Sequence, residues 1–110
     1  MTYDELKSNL ARAGFSTYYR DDNDTLICSS AEWPNTPRHA NSFWVAKRNN
    51  DWYVATWGPR VYWLEDSARV PELCIAVLRE NPDRAQWDFA DHTKKEFQLH
   101  EIEPDDLPDK

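Results

Sequence analysis

From Ser42 to Leu64, large apolar and aromatic residues recur with the two-residue period of β-strands, and turn residues interrupt the pattern twice. Ser42–Lys47 and Trp52–Thr56 flank Arg48-Asn49-Asn50-Asp51, and asparagine tolerates the positive φ that a tight hairpin requires. Gly58-Pro59 then turns the chain into Val61–Leu64. This stretch commits the chain to an antiparallel sheet. In the simplest register one face carries Phe43, Val45, Trp52, Val54, Val61 and Trp63. The other carries Trp44, Ala46, Tyr53, Ala55, Trp57, Tyr62 and Leu64. A slip of one residue at the first turn would exchange the faces of one strand and mix the two sets.

The flanks supply helices and two more strands. Thr2 and Glu5 make a capping box, and Tyr3, Leu6, Leu10 and Ala13 follow at helical spacing. Gly14 suits the left-handed residue that ends such a helix, with Phe15 folding back onto Leu10. Thr17–Arg20 and Leu26–Cys28 read as strands around the turn Asp21–Asp24. Ala31–Asn41, with Pro34, Pro37 and Trp33, reads as a long loop. Pro71 fits the first turn of a second helix whose stripe is Val70, Leu73, Cys74, Val77 and Leu78, ended by Asn81-Pro82. Asp91–Glu96 reads as a short helix with Phe97 packed below it, in preference to a strand. The expected fold is α+β: an N-terminal helix, an antiparallel meander of about five strands, then one or two helices packed on one sheet face. Residues 1–103 form a single domain, and 104–110 an acidic flexible tail.

Composition excludes several functions. Only Gly14 and Gly58 are glycines, so there is no glycine-rich phosphate loop. The net charge is −7, of which the last ten residues carry −4; an acidic chain repels phosphate backbones, and no nucleic-acid partner is expected. No apolar run approaches a bilayer's thickness, and no signal sequence is visible. A cytoplasmic protein with two reduced thiols, Cys28 and Cys74, and no membrane partner is therefore expected. His39, His92 and His100 have no metal-ligand spacing, Asp21, Asp22 and Asp24 lack the rest of a calcium loop, and no cofactor motif is present. Cys28 with His39 suggests a thiol nucleophile and its base, but Cys28 sits in an apolar strand run, where a small buried hydrophobe is the better reading.

What composition adds is rings: six Trp, five Tyr and four Phe. On the second face Trp44, Tyr53, Trp57 and Tyr62 surround Ala46 and Ala55 as a shallow aromatic dish, and Arg60 beside Trp57 offers a cation–π contact. If both helices pack on the other face, these residues are a partner-binding surface; if the terminal third, with Trp87, Phe89 and Phe97, covers them, they are a second core. The acidic charge is explained first by solubility, and it also leaves room for a basic protein partner. The alternative is a small-molecule or carbohydrate binder, or an enzyme, that uses the same dish with His39 or His92 nearby. A homodimer through the dish is a third arrangement, so monomer and homodimer both stay open.

The run Trp52-Tyr-Val-Ala-Thr-Trp-Gly-Pro-Arg-Val-Tyr62 resembles the central hairpin of small bacterial single-domain α+β proteins of immunity-protein type. The likeness covers roughly residues 42 to 80. The glycine-centred signature of the best-known immunity superfamily is absent. The resemblance implies binding to a protein partner, with no catalysis.

Overall fold

Helix α1 (Tyr3–Arg12) begins where local chemistry says it should. The Thr2 hydroxyl accepts from the Glu5 N–H, and the Glu5 carboxylate accepts from the Thr2 N–H, so two orphan donors are satisfied. Gly14 takes φ 90° and Phe15 N–H donates back to the Leu10 carbonyl, which closes the C-terminus as expected. The structure, a computed structural model, describes residues 1–30, 42–80 and 88–110. The expected loop Ala31–Asn41 (with Trp33 and His39), the helix stop Asn81-Pro82, and Trp87 lie outside the described residues.

Six strands follow in sequence order as one antiparallel meander: β1 (Ser16–Arg20), β2 (Thr25–Ser29), β3 (Ser42–Arg48), β4 (Asp51–Ala55), β5 (Val61–Leu64) and β6 (Leu99–Ile102). Two further helices, α2 (Val70–Glu80) and α3 (Asp91–Glu96), sit between β5 and β6. The α+β class and the position of α3 agree with the sequence reading, and Phe97 is buried beneath α3. The count of about five strands rises to six. Leu99–Ile102 is a four-residue edge strand, and its entry at Gln98 (φ 54°) carries no glycine to announce it.

The register is the main correction. Asn49-Asn50 forms a two-residue connection, one of the two lengths (two or four residues) that give the same face parity, with Asn49 at φ 59° and Arg48 opposite Asp51, so β3 and β4 share faces as anticipated. The next connection is Thr56–Arg60, five residues between the paired Ala55 and Val61. Thr56 N–H donates to the Arg60 carbonyl, and Arg60 N–H to the Thr56 hydroxyl, which fixes that loop length. An odd connection pairs odd with odd, so Val61 and Trp63 join Tyr53 and Ala55, while Tyr62 and Leu64 join Val54. The faces of β5 are thus the reverse of those expected from sequence.

With that register the core is coherent. Leu26, Cys28, Phe43, Val45, Trp52, Val54, Tyr62 and Leu64 meet Leu6 and Leu10 of α1, the Val70–Leu78 stripe of α2, and Phe89 and Phe97. The three α-helices of the described residues therefore cover one side of the sheet. Tyr3 bonds α1 to the sheet: its hydroxyl donates to the Asp24 carbonyl (2.9 Å) and accepts from the Lys47 N–H (2.8 Å), and its ring meets Trp52 edge-on at 5.3 Å. Among the described residues no helix is long and apolar enough to cross a membrane.

The C-terminal residues reach the end of β3 and the β1–β2 turn. The Pro108 carbonyl accepts from Arg48 Nε at 2.9 Å, and the Lys110 ammonium reaches the carbonyls of Asp21 and Asp22.

Candidate binding face

The side of the sheet away from the helices has a floor of Ile27, Ala46, Ala55 and Val61, all fully buried yet outside the helix-side core. Trp44, Tyr53 and Trp63 stand around it, half-buried. Tyr18 on the β1 edge is 45 % exposed and Trp57 41 %. Trp57 is steadied by its indole N–H, which donates to the Ser42 hydroxyl at 3.0 Å. Burial, and to a lesser degree Asp51, pushes the Tyr53 phenol above its usual range, so it is a neutral donor at physiological pH. Beside the floor Trp44, Trp57, Ile27, Arg20, Asn23 and Thr25 enclose a cleft of about 150 Å³.

The residues expected to form the dish separate into two groups. Trp44, Tyr53 and Trp57 share this face. Tyr62 does not: it points into the helix-side core, with its ring against Phe89 (5.6 Å between centroids). Arg60, in the β4–β5 connection, is exposed, and its guanidinium faces Glu101 at 3.5 Å and Asp88 at 3.9 Å. Trp63 takes the place on the face that Tyr62 was expected to hold, and stacks at 5.4 Å on His100 of β6. The sequence reading placed Trp63 on the opposite face and weighed His100 only as a metal ligand, and it assigned neither Ile27 nor Arg20 to this face. Leu99-His100-Glu101-Ile102 does not alternate, so the last strand had no clear local signal.

Tyr62 instead anchors a polar cluster. Its hydroxyl donates to Asp88 Oδ1 at 2.5 Å, the Lys94 ammonium donates to Asp88 Oδ2 at 2.8 Å, and the same ammonium lies 5.6 Å over the Tyr62 ring. Burial acts to raise the Asp88 carboxyl, but the bonds from Lys94 and Tyr62 outweigh it and hold the group below its usual range. Burial first, then the bond to Asp88, pushes the Tyr62 phenol up to about 12. An unfolded tyrosine titrates near about 10. The stabilisation it supplies is therefore complete below about pH 10 and is lost as pH rises toward about 12. Accordingly, Tyr62→Phe is expected to lower the urea midpoint most below pH 10, with the gap to wild type closing toward pH 12. A gap of constant size across that window would show that the hydroxyl does not titrate as described.

The remaining reactive groups serve the fold. Cys28 and Cys74 are both buried free thiols, and burial, then the neighbouring Cys74, pushes Cys28 well up, which keeps it protonated and unreactive. Asp22 pairs with Arg20, and Asp24 accepts from Tyr19 and Arg48. His92 contacts Glu80 in the helix layer, on the opposite side of the sheet from the aromatic face. Among the described residues no group of three or more His, Cys, Asp and Glu is placed to hold a metal ion. Compared with known protein families, with curated proteins and with solved structures, the chain matches none.

Proposed function

We propose that this chain is a non-catalytic protein-binding module of immunity or adaptor type, acting in the cytoplasm and engaging its partner through the aromatic face of Trp44, Tyr53, Trp57 and Trp63. The observation that supports this is the exposure of Trp57 and Tyr18 on the sheet side where, among the described residues, no helix packs. Rings held in water around a small-residue floor are what interaction surfaces are built from, and Trp and Tyr dominate binding energy at such surfaces. The net charge of −7 favours a basic partner, through steering more than through contact energy. A small-molecule site is the weaker reading. The cleft beside Trp57 measures about 150 Å³, against about 300–1,000 Å³ for ordinary ligand pockets, and His92 sits on the wrong side of the sheet to assist chemistry there.

The test is comparative capture. Wild type, Trp57→Ala and Trp44→Ala are immobilised, proteins retained from a cell extract are identified, and each is then titrated in purified form. Both variants are expected to keep the wild-type far-UV spectrum and to bind the retained protein at least about ten-fold more weakly, the loss of about 1.4 kcal/mol or more that hot-spot rings carry. Equal affinity for all three proteins would remove the face from the interaction. Unfolding of both variants would make these rings core and take away the reading's main support.

A further inference from the structure

We infer that the aromatic face is a groove for a proline-containing peptide segment, and that the chain's own residues 103–110 occupy it in cis. This deepens the reading above and rests on it.

The path of the C-terminal residues carries the argument. Ile102 pairs with Val61, and through Ala55 it stands level with Trp44 on β3. The next fixed point is the Pro108 carbonyl on Arg48 Nε, at the other end of β3. Arg48 shares alternate positions with Trp44 and Ala46, so it belongs to the same face. Three strand spacings across and four residues along make a diagonal of about 20 Å. Six residue-to-residue steps lead from Ile102 to Pro108, three of them in the 3₁₀ turn Pro104–Asp106, and they reach about 16 Å. The Arg48 side chain makes up the difference, and no length is left for a detour around an edge. The segment therefore crosses the face obliquely, and Lys110 then reaches the β1–β2 turn beyond. A crossing chain also contributes to the complete burial of Ala46, Ala55 and Val61 on the side where none of the described α-helices packs.

The geometry of the segment names the class of ligand. Glu103 (φ −66°, ψ 141°) and Leu107 (φ −64°, ψ 121°) lie close to polyproline II values, each directly before a proline. Between them the 3₁₀ turn is closed from within, Asp106 N–H donating to the Glu103 carbonyl and Leu107 N–H to the Pro104 carbonyl, and the Pro108 carbonyl beyond it accepts from Arg48. Two prolines and a closed turn keep the entropy of docking low, and proline-containing segments are ligands that grooves lined by aromatic side chains take. Leu107 and Pro108 are half-buried, as the docked pair of such a motif would be.

The test uses the full chain carrying Leu107→Ser and Pro108→Ser, which weakens the cis occupant, and a synthetic peptide with the sequence of residues 103–110. An occupant held in cis faces an effective concentration on the order of millimolar, so a segment that fills its groove must also bind in trans within that range. Titration to about 5 mM should shift the amide resonances of Ala46, Ala55 and Val61 in the variant. Wild type should respond at least about ten-fold more weakly, because its groove is already filled. The same peptide with its Leu-Pro pair replaced by Ser-Ser should be silent. A milder chain, Pro108→Ala alone, repeats the experiment should the double variant lose its fold. Absence of shifts in the variant, or equal response in wild type, overturns the inference. The two readings fail separately. If Trp57→Ala still weakens partner binding while the peptide is inert, only the peptide groove falls.

Discussion

Arg48→Ala is expected to cost about 3–5 kcal/mol of folding stability, a large share of the roughly 5–15 kcal/mol that holds a domain of this kind together. Its side chain is only 5 % exposed and makes bonds in several directions. Nη1 donates to the carbonyls of Asp24 (2.8 Å) and Lys47 (3.0 Å), Nη2 to the Asn23 carbonyl (2.9 Å), and Nε to the Pro108 carbonyl (2.9 Å). The Asp24 carboxylate at 3.4 Å balances part of the charge. One guanidinium thus joins the β1–β2 turn, the end of β3 and the C-terminal segment. Truncation strands several carbonyls at once, and each buried acceptor left without a donor costs about 1–3 kcal/mol, reduced where water can enter. Lysine cannot replace it, because one ammonium on a flexible stem does not span the fixed fork. Arg48→Lys is therefore expected to recover less than half of the loss. Urea unfolding with an unchanged slope checks both variants. A loss below about 1 kcal/mol, the range of a surface ion pair, would mean that the carbonyls are served by water and that Arg48 is no hub.

Trp52→Ala is expected to cost about 3–5 kcal/mol, while Trp57→Ala costs less than about 1 kcal/mol. Both residues belong to the β4 hairpin region, and the sequence reading puts them on opposite faces without deciding whether the face of Trp57 is open or a second core. The structure separates them. Trp52 is buried on the helix side, with the Tyr3 ring edge-on to it, and its removal leaves a cavity between α1 and the sheet. Trp57 lies just beyond β4 on the opposite side and keeps much of its ring in water. The pair measured together gives the difference between core and surface aromatics in one experiment. Similar losses for the two would place Trp57 in a second core.

The elements that the sequence displays most clearly are those held by contacts within a few residues. The Thr2–Glu5 capping box, the Gly14 stop and the Asn49-Asn50 turn all act locally, and each is found where its residues indicate. The short helix Asp91–Glu96 is legible for the same reason, with Phe97 closing it. What was misread depends on something a pattern does not carry. The facing of β5 turns on whether the Thr56–Arg60 connection holds an odd or even number of residues, which two hydrogen bonds around Thr56 decide. That single choice moved Tyr62 out of the aromatic face and Trp63 into it. Strand β6 was hidden because four residues beginning at Leu99 give too little alternation, and its partner β5 lies 35 residues away. The contacts of Pro108 and Lys110 with residues far up the chain are beyond any local signal. Half the candidate face was thus visible as an aromatic cluster, and half only once the register was known.

The most direct measurement is the solvent exposure of each indole N–H, read by NMR with a soluble paramagnetic probe. The face described here predicts strong bleaching of Trp57, partial bleaching of Trp44 and Trp63, and protection of Trp52. Protection of all four would contradict it, because the second side of the sheet would then be closed to any partner.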